Sequence, residues 1–244
     1  MIELLARARL AAICLLAGLA TAGCATLPSL DGLQQPSSAY TDTGDTRLGQ
    51  AIDAGAAGHP GKSGVYALSK PLDAFAARVL LARAAERSLD VQYYIWHGDV
   101  TGYLMFEEIW KAAERGVRVR LLIDDNGISG LDPTMAALDS HANIEVRLFN
   151  PFANRSMRML GYATDFSRLN HRMHNKSFTA DGRATIVGGR NIGDEYFGAG
   201  QHISFADLDV IAVGPAATDV GAAFDLYWNK IGRASCRERM LPTV

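Results

Sequence analysis

Cysteine is scarce in this 244-residue sequence, which has only Cys14, Cys24 and Cys236. Two of them fall within the first 24 residues, so no internal pair is left to cross-link a domain, and packing must hold the fold together. An excess of basic charge is also lacking: 24 Lys and Arg face 26 Asp and Glu, a net charge of −2. That balance excludes a broad nucleic-acid-binding surface, and no nucleic-acid partner is expected. The apolar run "LAAICLLAGLATAG" is too short to span a bilayer. Internal repeats are absent, and no group of His, Cys, Asp or Glu shows metal-ligand spacing, so neither a metal nor another cofactor is expected. What is present is ordinary globular material, 48% hydrophobic, enough to bury a real core.

The chain opens as an export signal. "MIELLARAR" is weakly basic, the apolar run follows, and small residues close it. The ending "TAGC" resembles a bacterial lipobox, with Thr21 where Leu is commoner. It implies that Cys24 is lipidated and becomes the mature N-terminus. Ala25 after the cysteine implies sorting to the periplasmic side of the outer membrane. Residues 1–24 are thus expected to be a lipoprotein signal, and residues 25–60, rich in Gly, Ser, Pro, Asp and Ala, a flexible tether.

The other end also departs from the rest. "IGRASCRER", Ile231 to Arg239, carries no apolar periodicity or cap signal and resembles the translation of a common sequencing adapter. Residues 230–244 are therefore expected to be an artefactual tail. Without the net +2 of residues 231–244, residues 1–230 carry −4.

Between these ends, residues 61–229 read as one domain. "PLDAFAARVLLARAAERS" opens on Pro71 and repeats apolar residues at helical spacing. "LDVQYYIW" is strand-like, "TGYLMFEEIWKAAERG" is a second helix stopped by Gly116, and "VRVRLLIDDNG" is the next strand. A short helix around "PTMAALDSHA" precedes the strand "IEVRLFNPF". This alternation predicts an α/β fold, an α-β-α layered domain with a mixed, mostly parallel sheet. After a loop with a helical turn, "HNKSFTA" and "RATIVGG" flank Asp181-Gly182, a strong hairpin signal. "DLDVIAVG" is a further strand and "AATDVGAAFDLYWN" a closing helix.

The chemistry concentrates in the hairpin. Alternation along a strand puts His174 and Lys176 on one face, about 7 Å apart at the backbone. An imidazole beside an ammonium makes a poor core but a good phosphate site, with charge for the nonbridging oxygens and a neutral nucleophile. The glycines of "VGGRN" allow close backbone approach, and Asn191 supplies a neutral donor.

His174, Lys176 and Asp181 fit the pattern HxKxxxxD, and Gly188, Gly189 and Asn191 fit the GGxN that follows it. With "QYYIW", "RGVRVRLLIDDN" and "IEVRLFNPF" in order, residues 60–229 resemble the phospholipase D superfamily, in its bacterial cardiolipin synthase-like lipoprotein branch. The resemblance implies a phosphatidyltransferase or phosphodiesterase without metal. His174 would form a phosphohistidine, Lys176 and Asn191 would hold the charged oxygens, and an alcohol or water would resolve the intermediate. A phospholipid is then the expected substrate and cardiolipin the expected product. Asp181 belongs to the motif, yet a hairpin turn favours aspartate for its own backbone hydrogen bonds. Asp207, entering an apolar strand beside Asp209, is the other candidate to orient the imidazole.

Other residues are read blandly. His171, His97 and His202 are surface histidines, and Tyr93, Tyr94 and Trp96 are mainly core and rim aromatics. Asp124 and Asp125 satisfy a strand end or cap a helix. Met157 and Met159, among basic Arg155 and Arg158, are loop packing. Family enzymes have two such domains, and the second motif supplies the general acid. One motif here means either that the second half was lost at the Lys230 boundary, the expectation the lipobox, the branch-specific strands and the adapter-like tail favour, or that two copies of the chain pair, as in single-motif nucleases. A third reading is a lipoprotein that binds anionic lipid without catalysis.

Overall fold

The computed structural model describes residues 35–152, 158–200, 204–229 and 234–235. The signal, Cys24, Arg155, Met157, His202 and all but two residues of the C-terminal tail lie outside the described residues. Among the described residues, no helix is long and apolar enough to cross a membrane.

The chain divides into two compact units. The larger is built on one sheet. Its first helix, α1 (Arg47–Ala56), is capped by Thr46, whose side chain accepts the Gly49 N–H. Strand β1 (Gly64–Leu68) precedes α2 (Pro71–Ala84), which Pro71 starts where its missing N–H is no loss. Then follow β2 (Ser88–Ile95), α3 (Val100–Glu114) and β3 (Arg118–Gly127). Next come α4 (Asp132–Asp139) and β4 (Ile144–Phe149).

The smaller unit contains two short helices, α5 (Arg158–Thr164) and α6 (Phe166–Leu169). Met159 is exposed on α5. His171 closes this unit, with Nδ1 2.7 Å from the Ser167 carbonyl oxygen.

Back in the larger unit, β5 (Ser177–Ala180) and β6 (Ala184–Gly188) form the hairpin. A short helix α7 (Asp194–Phe197), β7 (Asp209–Val213), α8 (Pro215–Trp228) and a two-residue strand β8 (Ala234–Ser235) complete the order.

The strands line up as β1-β7-β6-β5-β2-β3-β4-β8. Only β2 with β3 and β3 with β4 are parallel; every other pairing is antiparallel. The layered α/β class is as expected, but the expectation of a mostly parallel sheet is corrected. The crossovers through α3 and α4 make β2, β3 and β4 parallel neighbours, whereas α2 joins β1 to β2 without making them neighbours, and the β5–β6 hairpin can only be antiparallel. The hairpin turn itself matches the sequence: Asp181 and Gly182 both have positive φ, 52° and 63°, and the Arg183 N–H donates to the Ala180 carbonyl.

The tether is corrected as well, for residues 35–60. Leu48 and Ile52 of α1 pack against the main core, and the Thr43 hydroxyl donates to the Asp181 carbonyl at 2.5 Å. Leu48, Ala51 and Ile52 do recur at helical spacing, a short pattern masked by the Gly-, Ser- and Asp-rich composition around it.

The two sheet faces differ. Leu89, Val91, Tyr93, Val119, Leu121, Ile123, Val146, Leu148, Phe178 and Ile186 join the helices α2, α3 and α4 in one apolar core. The alternate residues include buried Asp90, Gln92, Arg120, Arg147, Thr179 and Thr185. Helix α8 covers this polar side, with Phe224 and Trp228 in a small cluster with Leu122 and Met173.

Candidate active site

His174 sits in an extended segment just before β5, and the segment is pinned upstream of it. Buried Asp124, near the C-terminal end of β3, accepts the Met173 N–H at 2.8 Å and Arg172 Nη1 at 3.1 Å. It also accepts the Asn126 N–H at 2.9 Å. Burial pushes its carboxyl above the usual carboxylate range, against the pull of these donors and the Arg172 charge. Gln92 Nε2 meets Met173 Sδ at 2.9 Å. These contacts fix the chain immediately before the nucleophile candidate.

The His174 ring is exposed and lies on the Tyr94 ring, with centroids 4.1 Å apart and planes inclined by 32°. Lys176 Nζ donates to the His174 carbonyl at 2.7 Å and stands 5.5 Å from the Tyr94 ring centroid. Desolvation lowers the pKa of Lys176; the negative fields of Asp207 and Asp209 oppose it.

Asn191 is buried, and both ends of its amide are assigned. Oδ1 accepts the Ile95 N–H at 3.1 Å, and Nδ2 donates to Tyr196 Oη at 3.0 Å. An amide nitrogen carries two hydrogens, so one donor remains. Tyr196 in turn packs on Phe205, centroids 5.1 Å apart.

The two glycines of "VGGRN" have a steric explanation. A Cβ on Gly189 would fall 1.8 Å from Asp207 Oδ1, and one on Gly188 would fall 2.2 Å from Asp209 Oδ1. Only bare backbone lets the 207–209 segment come this close. Asp207 is therefore laid over the GGxN turn, where its charge bears on Lys176. Among the described residues no hydrogen bond joins it to His174; its Oδ1 accepts the Leu208 N–H at 3.1 Å. Asp209 is the fully buried one of the two, paired with Arg78 at 2.8 Å and Arg190 at 3.5 Å.

Asp181 is not part of this cluster. It lies past the far end of β5, roughly 16 Å of strand from Lys176 at 3.3 Å per residue. Its carboxylate accepts the N–H groups of Glu86 (3.1 Å), Arg87 (2.7 Å) and Ser88 (2.9 Å). Its place is that of a turn anchor tying the hairpin to the start of β2.

The fold brings together His174, Lys176, Asn191 and Asp207, and adds Tyr94, Tyr196 and Asp124 to the candidates named from sequence. Tyr93 and Trp96 are in the core. His97 pairs with Glu195 at 3.0 Å. Together with Asp99 these make one group whose ligand atoms lie within 4.8 Å of each other, three residues that sequence spacing does not connect. Asp99 is already occupied: its carboxylate caps α3 at the Gly102 N–H and accepts the Asp194 N–H.

Imidazole, ammonium and amide thus gather at one end of the sheet in an α/β layered domain. The description "Cardiolipin synthase, PLD-like domain" matches residues 80–213, and the chain belongs to that family. It is 60% identical over 182 residues to cardiolipin synthase C of Escherichia coli (strain K12), covering 75% of this chain and 38% of that protein. A cardiolipin synthase of Staphylococcus aureus (strain Mu50) is 32% identical over 157 residues, 60% of this chain and 28% of that one. The chain thus spans well under half the length of these relatives. Among solved structures, NucT from Helicobacter pylori superposes with a TM-score of 0.52 at 15% identity, over 70% of this chain and 97% of NucT. That likeness is one of fold.

Proposed function

We propose that this chain carries the phosphoryl-accepting half of a cardiolipin-forming phosphatidyltransferase. The observation that carries the reading is the common placement of His174, Lys176 and the Asn191 amide, with Asp207 behind the ammonium. A His174 ring nitrogen attacks the phosphorus of a phospholipid, an N–P bond forms, and the P–O bond to the headgroup alcohol breaks. Lys176 and the remaining Asn191 hydrogen stabilise the nonbridging oxygens as charge gathers on them. The departing oxygen takes its proton from a general acid on a second HxKxxxxD motif, in another domain or a second copy. The hydroxyl of a second lipid then attacks the phosphohistidine, and transfer to phosphatidylglycerol yields cardiolipin. Lipidation at Cys24 would hold the enzyme on the periplasmic side of the outer membrane, where its substrates lie.

Similarity to two cardiolipin synthases supports this choice of product over hydrolysis. The test uses the protein expressed from its complete gene, with phosphatidylglycerol vesicles and lipid analysis by mass spectrometry. Wild type should form cardiolipin, and His174→Ala should form none. Lipid turnover unchanged in His174→Ala would sink the phosphohistidine step. Phosphatidic acid as the sole product would make the enzyme a hydrolase.

A further inference from the structure

His174 and Lys176 belong to no ladder: β5 begins only at Ser177, and its last rung to β2 joins Ser177 to Gln92. Tyr94 lies two residues beyond that rung, beside the free run of chain that carries both groups. The backbone upstream is fixed by Asp124, but the imidazole itself is exposed on two soft torsions. The contact that orients its plane is the Tyr94 ring, 4.1 Å away and tilted by 32°. The same ring stands 5.5 Å from the Lys176 ammonium, within the range of a cation–π contact. Tyr94 is half-buried near the end of β2, a regular strand paired on both sides, whereas His174 and Lys176 precede the first residue of β5.

We propose that Tyr94 is the positioning residue of this site, a single aromatic face that holds the His174 ring in its attacking plane and stabilises the positive charge it acquires. The proposal rests on the phosphohistidine reading. When a neutral imidazole nitrogen bonds phosphorus, its lone pair becomes the N–P bond and the other nitrogen keeps its proton. The electron pair of the broken P–O bond leaves with the alcohol oxygen, which is protonated by the general acid. The ring is then an imidazolium stacked on the negative face of a phenol ring. That attraction is absent from the ground state, so it acts on the transition state rather than on substrate binding. The Lys176 ammonium, drawn to the same face and tied to the His174 carbonyl, keeps its place relative to the nucleophile.

The face matters, not the hydroxyl, and this separates the role from ordinary packing. In the protein expressed from its complete gene, Tyr94→Leu should lower kcat for cardiolipin formation by about tenfold or more, at one decade per 1.4 kcal/mol of lost cation–π stabilisation. KM should stay within about threefold, and Tyr94→Phe and Tyr94→Trp should restore kcat to within about threefold of wild type. Proton NMR of the wild-type chain should show the His174 ring protons shifted upfield by the Tyr94 ring current, a shift lost in Tyr94→Leu and kept in Tyr94→Phe. Should Tyr94→Leu fail to fold, Tyr94→Met is read by the same criteria. A kcat equal to wild type in the aliphatic variant, while His174→Ala is inactive, overturns the proposal and leaves the function standing. So does a Tyr94→Phe variant as poor as the aliphatic one. An active His174→Ala removes the function reading, and Tyr94's catalytic role falls with it.

Discussion

At the residue scale, the two acidic candidates of the sequence, Asp181 in the motif and Asp207 outside it, have different surroundings. Asp181 accepts three backbone N–H groups from the start of β2 and is fully buried at the turn. Removing a buried acceptor strands its donors, so Asp181→Ala should cost about 2–4 kcal/mol of stability. Folded enzyme should keep kcat within a few-fold, because the turn is distant from His174. Urea denaturation beside a rate assay at low temperature separates the two, and a large kcat loss with unchanged stability would return Asp181 to the catalytic group.

On the proposed reading, Asp207 acts through the charge of Lys176. Desolvation already lowers the ammonium's pKa, and the Asp207 charge partly opposes that. Neutralising the carboxylate removes a stabiliser of the protonated amine, so the pKa falls further. The alkaline limb of the pH–rate profile should therefore move to lower pH in Asp207→Asn, and to higher pH in Lys176→Arg, whose guanidinium stays protonated. An alkaline limb indifferent to both substitutions would show that Lys176 does not set it.

At the scale of the elements, the segment 172–176 is an arm fastened at its upstream end, by Asp124, by the Asn150 carbonyl and by the Gln92–Met173 contact. Asp124 holds it through Arg172 and the Met173 N–H, and nothing in the HxKxxxxD pattern reveals that. Asp124→Ala should let the arm move, with exchange of the Met173 amide faster and kcat down about tenfold, the scale of one or two buried hydrogen bonds. Protection of that amide equal to wild type would exclude the anchor.

Much of this level was legible in the sequence. Long periodic segments such as α2, α3 and β3 announce themselves by spacing, and Asp181-Gly182 announces its turn chemistry. Parallel pairing could be read where helices separate the strands, but periodicity says nothing about the order of β1, β5, β6 and β7. Helix α1 was hidden because its short apolar pattern, Leu48, Ala51 and Ile52, lies in a stretch whose Gly, Ser and Asp content reads as linker. The catalytic candidates were legible by type, since imidazole, ammonium and amide stand within 18 residues of one another. Their supports were not. Tyr94, Tyr196 and Asp124 come from other strands and helices, and only sheet order makes them neighbours.

At the scale of the whole molecule, the larger unit is held by one apolar face and one polar face of the same sheet. On the polar face Arg120 meets Asp90 through two contacts, 2.6 and 2.8 Å, and Asp225 of α8 at 2.8 Å. Arg120 also donates to the Ser37 carbonyl, and Arg147 to the carbonyls of Trp228 and Gln35. Aligned guanidinium groups thus fasten both α8 and the segment from Gln35 onto strands whose opposite face is oil. Buried charge of this kind specifies how layers meet more than it stabilises them, because desolvation offsets most of the Coulombic gain. The consequence is an asymmetry between breaking the pair and replacing it. Asp90→Leu strands a buried guanidinium and should cost about 3 kcal/mol, the lower end for such losses because Asp225 remains. Adding Arg120→Met should recover part of that loss by urea denaturation, since two apolar side chains fill the same space and the partly exposed Asp225 carboxylate keeps the Ala39 N–H as a donor. The double variant should nonetheless loosen the Gln35–Ala39 segment, seen as faster amide exchange at Ser37 and Ala39. A double variant as unstable as Asp90→Leu, or one with unchanged exchange there, would show that the arginine does not set the seating of that segment.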